Sequence, residues 1–497
     1  MIRMPLLLPL VLLLPACGTI PKPDLASAPA KASDYVQRID ALDDSGPRLN
    51  AVIAINPDAL RDAARAEGLP GPLAGKTVLV KDNIETADRT PTTVGSLALK
   101  DNITGRDAPL VAKLRSAGVV ILGKTNLSEW ANIRGSRSSS GWSGVGGQTR
   151  NPHAIDRSPC GSSAGSGVAV AAGFAWGAIG TETDGSITCP ASVNGVVGMK
   201  PTVGLVSRRF IAPISHSQDT AGPMTSSVRD AALLLTAMAG ADGGDPATAR
   251  ADLHAQDFAE GIDSATLSGQ RIGVLRRGVG NHPGVIALFD AALADMKRAG
   301  AVLVDIDWEP DGQMYRDESL VLRWELKRDL NAWLKSLPGN PPVRSLADVI
   351  AWNKAHAGEE LRWFGQDTFE AADRLTDEDA YRKARENSLR IAGKDGIDML
   401  LARHKVNLLV FPTEGPAWSI DLITGGASLP GVGMGSLPAV AGYPHLSVPM
   451  GAVEGLPVGL SIVAAQWADK LVLDAGAAFE RARTSPLAKP SFRRWGE

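Results

Sequence analysis

The sequence predicts a layered α/β fold. Strand-like and helical segments alternate between residues 34 and 124, which is the pattern of a sheet covered by helices. The chain has 497 residues, of which 44% are hydrophobic, so it can bury a large core. Its sequence shows no repeat at the period of a solenoid.

Amphipathic segments predict the first helices, and short aliphatic runs predict the strands between them. Gly68 marks the end of one helix, because glycine is favoured just past a helix C-terminus. Helices are predicted over 34–46, 57–68 and 108–118, and strands over 49–55, 75–80 and 119–124.

Later regions differ in composition. Residues 135–167 are rich in glycine and serine, and because they lie in mid-domain we expect a loop shaped by its backbone rather than a linker. The small, apolar segment 166–180 predicts a helix packed closely against the sheet. Residues 243–365 are richer in charge and tryptophan, and we expect a helical insertion that defines the substrate site, or else a peripheral scaffold. Core-like sequence returns at 406–413 and 455–465.

The first residues predict export. A basic residue precedes the apolar run Met4–Leu14, which is shorter than the roughly 20 residues that cross a bilayer. The run ends in a sequence that resembles a bacterial lipobox, with an unusual proline before Ala16 and Cys17. We expect a lipoprotein-type signal peptide over 1–16 and lipid attachment at Cys17, or else a secretory peptide cut elsewhere. Residues 17–33 then form a flexible tether, which places the protein in the periplasm or on the membrane.

Charge and cysteine content restrict the partners. The chain carries 51 basic and 54 acidic residues with no basic cluster, so we expect no nucleic-acid partner but a small molecule or peptide. Apart from Cys17, the mature chain has only Cys160 and Cys189. They are interpreted as buried thiols, although export would also permit a disulfide.

A literal G-x-x-x-x-G-K-T motif spans residues 118–125. A P-loop needs a flexible loop around phosphate, whereas the aliphatic residues inside this motif form a strand. We therefore expect no nucleotide site here, and an ordinary loop role for Lys124.

A G-x-S-x-G motif places Ser163 at its centre. In an α/β-hydrolase the nucleophile directly follows a strand, but two prolines and several charges precede this motif. His445, the best candidate base downstream, lies beside a proline and is expected to be structural. Ser163 is therefore not the predicted nucleophile.

Lys81, Ser162 and Ser186 form a third constellation. A serine hydroxyl is a weak nucleophile and needs a base. Lys81 ends a hydrophobic strand, where burial can lower its pKa from about 10.4 toward 7 or 8. A second serine between base and nucleophile could transfer the proton. The turn 183–186 presents successive amides, and Gly185 permits close approach, as an oxyanion hole requires.

Together these residues resemble the amidase signature family, and the likeness extends over about residues 45–480. Ser162 and Ser186 lie at the interval that is usual in the family. The segments that carry the likeness are Lys81, 161–167, 180–187 and 217–235.

The resemblance implies a fold and roles for residues. It implies one large α/β/α domain over 34–492, with a central mixed, mostly parallel, twisted sheet covered by helices. Ser186 would be the nucleophile, Ser162 the bridging serine after a cis bond from Gly161, and Lys81 the base. The backbone amides of Thr183, Asp184, Gly185 and Ser186 would form the oxyanion hole, and Thr181 and Ser163 would support the bridging serine.

Within this family, three segments look most like bacterial peptide amidases: 146–152, 159–167 and 180–191. The resemblance implies an amide hydrolase that forms an acyl-enzyme on Ser186, removes the C-terminal amide of peptides and releases ammonia. It needs water but no metal or cofactor. The alternatives are an amidase acting on aryl, fatty-acyl or small aliphatic amides, a glutaminase subunit, which export disfavours, and a non-catalytic peptide-binding lipoprotein.

Overall fold

The computed structural model describes residues 27–497, so the predicted signal peptide, Cys17 and most of the tether lie outside the described residues. The end of the predicted tether is helical instead. Helix α1 (Ala28–Ile39) begins where the Ser27 hydroxyl accepts a hydrogen bond from the amide of Ala30. Serine at the N-cap and Pro29 in the first turn both favour a helix start, so a helix begins here instead of a flexible tether.

Strands and helices alternate through most of the described chain. The strands are β1 (Val52–Ile55), β2 (Thr77–Lys81), β3 (Val120–Thr125), β4 (Trp142–Ser143), β5 (Gly147–Gln148), β6 (Gly177–Glu182), β7 (Val197–Lys200), β8 (Thr220–Thr225), β9 (Arg271–Leu275), β10 (Val302–Ile306), β11 (Leu408–Pro412), β12 (His445–Val453) and β13 (Leu456–Val463). The helices after α1 are α2 (Ala59–Ala66), α3 (Pro109–Ser116), α4 (Ala164–Ala171), α5 (Thr188–Val193), α6 (Val228–Met238), α7 (Pro283–Arg298), α8 (Gln313–Ser336), α9 (Leu346–Ala355), α10 (Ala357–Glu360), α11 (Asp367–Asp373), α12 (Glu378–Ala392), α13 (Met399–His404), α14 (Ser436–Ala441) and α15 (Asp469–Ala482).

Within residues 27–497, eleven strands form one mixed sheet in the order β1-β3-β2-β6-β8-β7-β12-β13-β11-β9-β10. Strand β2 pairs in parallel with β3 and β6, and β9 pairs in parallel with β10 and β11. The other neighbours are antiparallel. Parallel pairing, which was expected for most of the sheet, therefore occurs in two blocks, β3-β2-β6 and β11-β9-β10. The strands between these two blocks pair in the antiparallel direction. One reason is the tight β12–β13 hairpin, which can only join antiparallel neighbours.

Helices cover both faces of this sheet. Along β2, Val78 and Val80 pack into the core that α3 and α6 cover, whereas Leu79 between them packs into the core under α1, α2 and α4. This alternation follows from the period of two in a strand, and it confirms the α/β fold with helices on the two faces. No helix in the described part of the chain is both long and apolar enough to cross a membrane.

The six elements predicted before residue 125 are all present, with small shifts at their ends. The helix predicted over 166–180 is too long. Helix α4 ends at Ala171, and β6 begins at Gly177. Gly173 between them has a φ of +69°, a left-handed conformation that favours glycine and ends the helix.

The predicted helical insertion over 243–365 also needs correction. Its first part contains β9 and β10, which extend the central sheet, and only the part from α8 onward covers the core with helices alone. Both strands are short runs of aliphatic and β-branched residues, which favour an extended backbone.

Candidate active site

Lys81 occupies the last position of β2 and is completely buried. Its Nζ lies 2.7 Å from Ser162 Oγ, 2.8 Å from Thr181 Oγ1 and 3.2 Å from the Thr181 carbonyl oxygen. Burial lowers the pKa of Lys81 to about 7, although the nearby carboxylates of Asp219 and Glu182 oppose this shift. A large fraction of the amine is therefore neutral at neutral pH and able to accept a proton.

Ser162 is held against Lys81 by its backbone. The Gly161–Ser162 peptide bond is cis, as the resemblance implied. The amide of Ser128 donates to the Ser162 carbonyl oxygen at 3.0 Å. A side chain on Gly161 would collide with the Ser128 hydroxyl, so glycine is required at this close approach.

Ser163, the centre of the G-x-S-x-G motif, does not face the site as a nucleophile. Its side chain is buried, donates to the Thr181 carbonyl oxygen at 3.0 Å and accepts from the Thr181 amide at 3.2 Å. His445 is also buried, pairs with Ser461 at 2.6 Å, and burial lowers its pKa to about 3. The hydroxyl of Ser163 and the imidazole of His445 are therefore both engaged in buried hydrogen bonds.

Ser186 lies in the turn that follows β6. It is 8% exposed, and its carbonyl oxygen accepts a hydrogen bond of 3.1 Å from the Ser163 amide, which places the turn beside the cis bond. Glu182 holds the far side of the turn, because one carboxylate oxygen accepts from the amides of Ile187 and Thr188. Among the described residues, no hydrogen bond joins the hydroxyls of Ser162 and Ser186, so this contact stays a prediction.

The turn offers unused hydrogen-bond donors. Within the described chain, the four amides of residues 183–186 donate no hydrogen bond to protein. Gly185 has a φ of +73°, and a Cβ at this position would meet nothing within 4 Å, so the turn faces open space. Free amides beside an open space are what an oxyanion hole requires.

Thr181 supports the site differently from the prediction. Its hydroxyl and carbonyl oxygens contact Lys81 and Ser163, whereas no direct hydrogen bond to Ser162 joins them in the described chain. Asn83, two positions after the lysine, also donates to the Thr181 hydroxyl at 3.0 Å. The hydrogen bonds of Thr181 therefore hold Lys81 and Ser163, and they reach Ser162 only through Lys81.

Sequence reasoning did not assign the acidic groups behind the site. Asp219 accepts a hydrogen bond of 2.6 Å from the Thr183 hydroxyl, and its negative charge opposes the lowering of the Lys81 pKa by burial. It lies in the segment 217–235, which carries part of the resemblance, and this motif was the only feature of the sequence that could have indicated Asp219 as part of the site. Burial raises the pKa of Asp219 to about 6.

Lys124 is not a loop residue but lies buried in β3, where its Nζ donates to the Ile84 carbonyl oxygen at 2.7 Å and to Thr92 Oγ1 at 2.9 Å. The strand occupies most of the G-x-x-x-x-G-K-T motif, so no phosphate-binding loop forms there.

In the part of the chain that the structure describes, His216, Glu325 and Asp329 bring potential metal-ligand atoms within 4.8 Å of one another. The Arg328 guanidinium lies against the imidazole and Asp329, and hydroxyl groups, including that of Ser217, donate to Glu325. These contacts describe an ion-pair network outside the Lys81 site.

Cys160 and Cys189 form a disulfide with a Cα–Cα distance of 6.0 Å. The interpretation as two free thiols is therefore wrong, and the disulfide alternative is correct. The bond ties the segment before Ser162 to α5, which follows Ser186. Both loops of the site are thus covalently linked.

This arrangement, a buried lysine hydrogen-bonded to a serine beside a turn with free amides, is typical of a class of protein, the serine hydrolases that use a lysine rather than a histidine. The comparisons with known proteins agree. The model of the amidase family matches residues 32–473. The chain belongs to the amidase family and is a hydrolase that acts on amide C–N bonds.

Its relatives cover nearly the whole chain. A probable amidase of Arabidopsis thaliana is 36% identical over 462 residues, which cover 89% of this chain and 85% of the plant protein. The structure of a peptide amidase from Stenotrophomonas maltophilia is 48% identical with a TM-score of 0.88, covering 94% of this chain and 96% of that one. An amidase family protein from Bacillus anthracis is 35% identical with a TM-score of 0.84, covering 93% and 89%.

Proposed function

We propose that Ser186 attacks the carbonyl carbon of a carboxamide and forms an acyl-enzyme. The contact between Lys81 and Ser162, next to the free amides of the Ser186 turn, is the observation that carries this proposal. As the carbonyl oxygen gains negative charge, the amides of residues 183–186 donate to it. Lys81 acts as the general base in its neutral form.

Ser162 transfers the proton in this scheme. Rotation about its Cα–Cβ bond and that of Ser186 brings the two hydroxyls together, so that Ser186 passes its proton to Ser162 while Ser162 passes its own to Lys81. The protonated lysine returns a proton by the same route to the leaving nitrogen, which departs as ammonia. Water then hydrolyses the acyl-enzyme with the same groups in reversed roles.

The proposed substrate is the C-terminal amide of a peptide. The similarity to the Stenotrophomonas maltophilia peptide amidase supports this choice. That similarity covers 94% of this chain and extends to its fold, with a TM-score of 0.88.

The test is ammonia release from a panel of amides. Peptide amides with varied C-terminal residues are compared with aryl, fatty-acyl and small aliphatic amides, and with the free acids and esters of the same peptides. We expect kcat/KM to be highest for peptide amides, with no ammonia from free acids. Preferred hydrolysis of aryl or fatty-acyl amides would contradict the substrate, and absence of all amide hydrolysis would contradict the catalytic proposal.

Export and lipid attachment at Cys17 remain a proposal. The apolar run Met4–Leu14 supports it, as does the disulfide, because disulfides persist in oxidising compartments. Mass spectrometry of the protein from a bacterial membrane fraction should find a lipidated N-terminal Cys17, and Cys17→Ala should remove the lipid. A cytosolic chain that retains Met1 would contradict this.

A further inference from the structure

A buried acid from α8 lies against the turn that carries the free amides. Glu318 is 5% exposed, and its Oε1 accepts a hydrogen bond of 2.9 Å from Gln218 Nε2. Its carboxyl group also lies within hydrogen-bonding reach of the carboxyl group of Asp184, which precedes Ser186 by two positions. A hydrogen bond between two carboxyl groups requires a proton on one of them.

Other contacts converge on the same two residues of the turn. Ser436, the first residue of α14, donates to Asp184 Oδ2 at 2.6 Å. Gln218 donates to the carbonyl oxygen of Thr183 at 3.3 Å as well as to Glu318. Side chains from three separate segments therefore hold the turn at Thr183 and Asp184.

We infer that Glu318 is a positioning residue: in its protonated form it donates to the Asp184 carboxylate and so holds the turn that presents the oxyanion amides and Ser186. This inference rests on the proposed function, because it gives α8 a role in the same reaction. Glu318 itself touches Asp184 and Gln218, so it acts through the turn.

Electrostatics support the protonated state of Glu318. Burial, and then the neighbouring Asp184 carboxylate, raise the pKa of Glu318 well above its ordinary range. Other ionisable groups face the pair: Tyr315 from α8, Glu182 from β6 and Lys200 from β7. When Glu318 loses its proton at alkaline pH, two carboxylates repel each other and the turn loses this support.

Two substitutions distinguish the effect of the hydrogen bond between Glu318 and Asp184 from the effect of losing the Glu318 proton. In Glu318→Gln, the side-chain oxygen still accepts from Gln218 and the amide nitrogen donates to Asp184, but no proton can be lost. Glu318→Leu removes both bonds. Glu386→Gln, the same change at an exposed position of α12, is the matched control.

Two readouts are measured across pH: kcat and KM for an amide that the wild type hydrolyses, and the rate at which a fluorophosphonate labels Ser186. We expect Glu318→Leu to lower kcat and labelling about tenfold or more, since misplacing oxyanion donors has effects of this order, with little change in KM. Glu318→Gln should recover most of this loss and abolish the decline of the wild type at alkaline pH. Glu386→Gln should behave as the wild type.

Wild-type rates in Glu318→Leu would overturn the inference, as would an unchanged alkaline decline in Glu318→Gln. If Glu318→Leu does not fold, the pH profile of Glu318→Gln decides alone. If no amide is hydrolysed by the wild type, the proposed function fails, while the labelling rates of the variants still test the role of Glu318.

Discussion

Lys81 Nζ lies 2.7 Å from Ser162 Oγ, and both residues are almost completely removed from solvent. Nζ has further contacts with Thr181 only, among the hydrogen bonds of the described residues. Because an ammonium group in this place would lose most of its hydration, the site favours the neutral amine. The protonation of one side chain therefore controls whether Ser162 has a proton acceptor.

We predict that activity rises with pH through a midpoint near 7. The pKa of Lys81 is lowered to about 7, so the amine is mostly charged below that pH and cannot accept a proton, whereas above it the active neutral form prevails. The measurement is kcat/KM for a peptide amide over the range of about pH 5 to 9. A profile that is flat through this range would contradict the assignment of Lys81 as the base.

Lys81→Met should lower kcat by about a thousandfold, the order expected for loss of a general base. Methionine has a similar shape and no charge, so the fold should be retained, which circular dichroism and thermal unfolding can check. Lys124→Met is a suitable comparison, since Lys124 is equally buried but lies in β3 without contact to Ser162. Equal losses of kcat in the two variants would argue for a structural effect.

Alanine substitutions of Ser186 and Ser163 should have different effects, the first on catalysis and the second on stability. Ser186→Ala should abolish ammonia release without loss of stability, because its hydroxyl is predicted to attack the substrate. Ser163→Ala should instead lower the free energy of unfolding by about 1 to 2 kcal/mol, because the Thr181 amide loses its acceptor and the Thr181 carbonyl oxygen keeps only its contact with Lys81. Burst release of ammonia and chemical denaturation measure the two effects. An active Ser186→Ala variant would rule out the acyl-enzyme.

Gly185→Ala should reduce kcat about tenfold or more. At a φ of +73° an alanine is strained by about 1 kcal/mol, and relief of that strain would turn the adjacent amides away from the oxyanion. Gly269→Ala provides the control, since Gly269 has a φ of +74° and the same open space around a Cβ but lies in an exposed turn before β9. Equal activity of Gly185→Ala and wild type would mean that the turn tolerates the methyl group or that its amides are not used.

The short motifs of the sequence could locate the reactive residues. Lys81 ends a strand with a clear aliphatic pattern, and Ser162 and Ser186 lie in glycine-rich segments with a recognisable interval. Glu318 and Ser436 could not be found in this way, because each reaches the nucleophile turn only through the packing of a helix distant in sequence. Their local sequence carries no sign of that contact.

Secondary structure was predictable where periodicity was distinct and ambiguous where side chains were small. Residues 166–180 contain mainly alanine, glycine and valine, which fit a buried helix or a buried strand equally well. The positive φ of Gly173 decides the outcome, but the segment contains three other glycines, so the sequence alone does not show which of them ends the helix. The extra strands β9 and β10 were missed because charge and tryptophan in the surrounding region suggested helices.

The disulfide should contribute to both stability and activity, since it joins the segment before Ser162 to α5 across a separation of 29 residues. Cys160→Ala with Cys189→Ala should lower the free energy of unfolding by about 3 kcal/mol, as expected for opening a loop of this size. Activity should fall at temperatures well below the unfolding transition, because the two loops of the site are no longer tied together. Denaturant unfolding with and without dithiothreitol measures the first effect: the reductant should destabilise the wild type and leave the double variant unchanged. Free thiols at both Cys160 and Cys189 in the unreduced, unfolded wild type would show that the bond does not form.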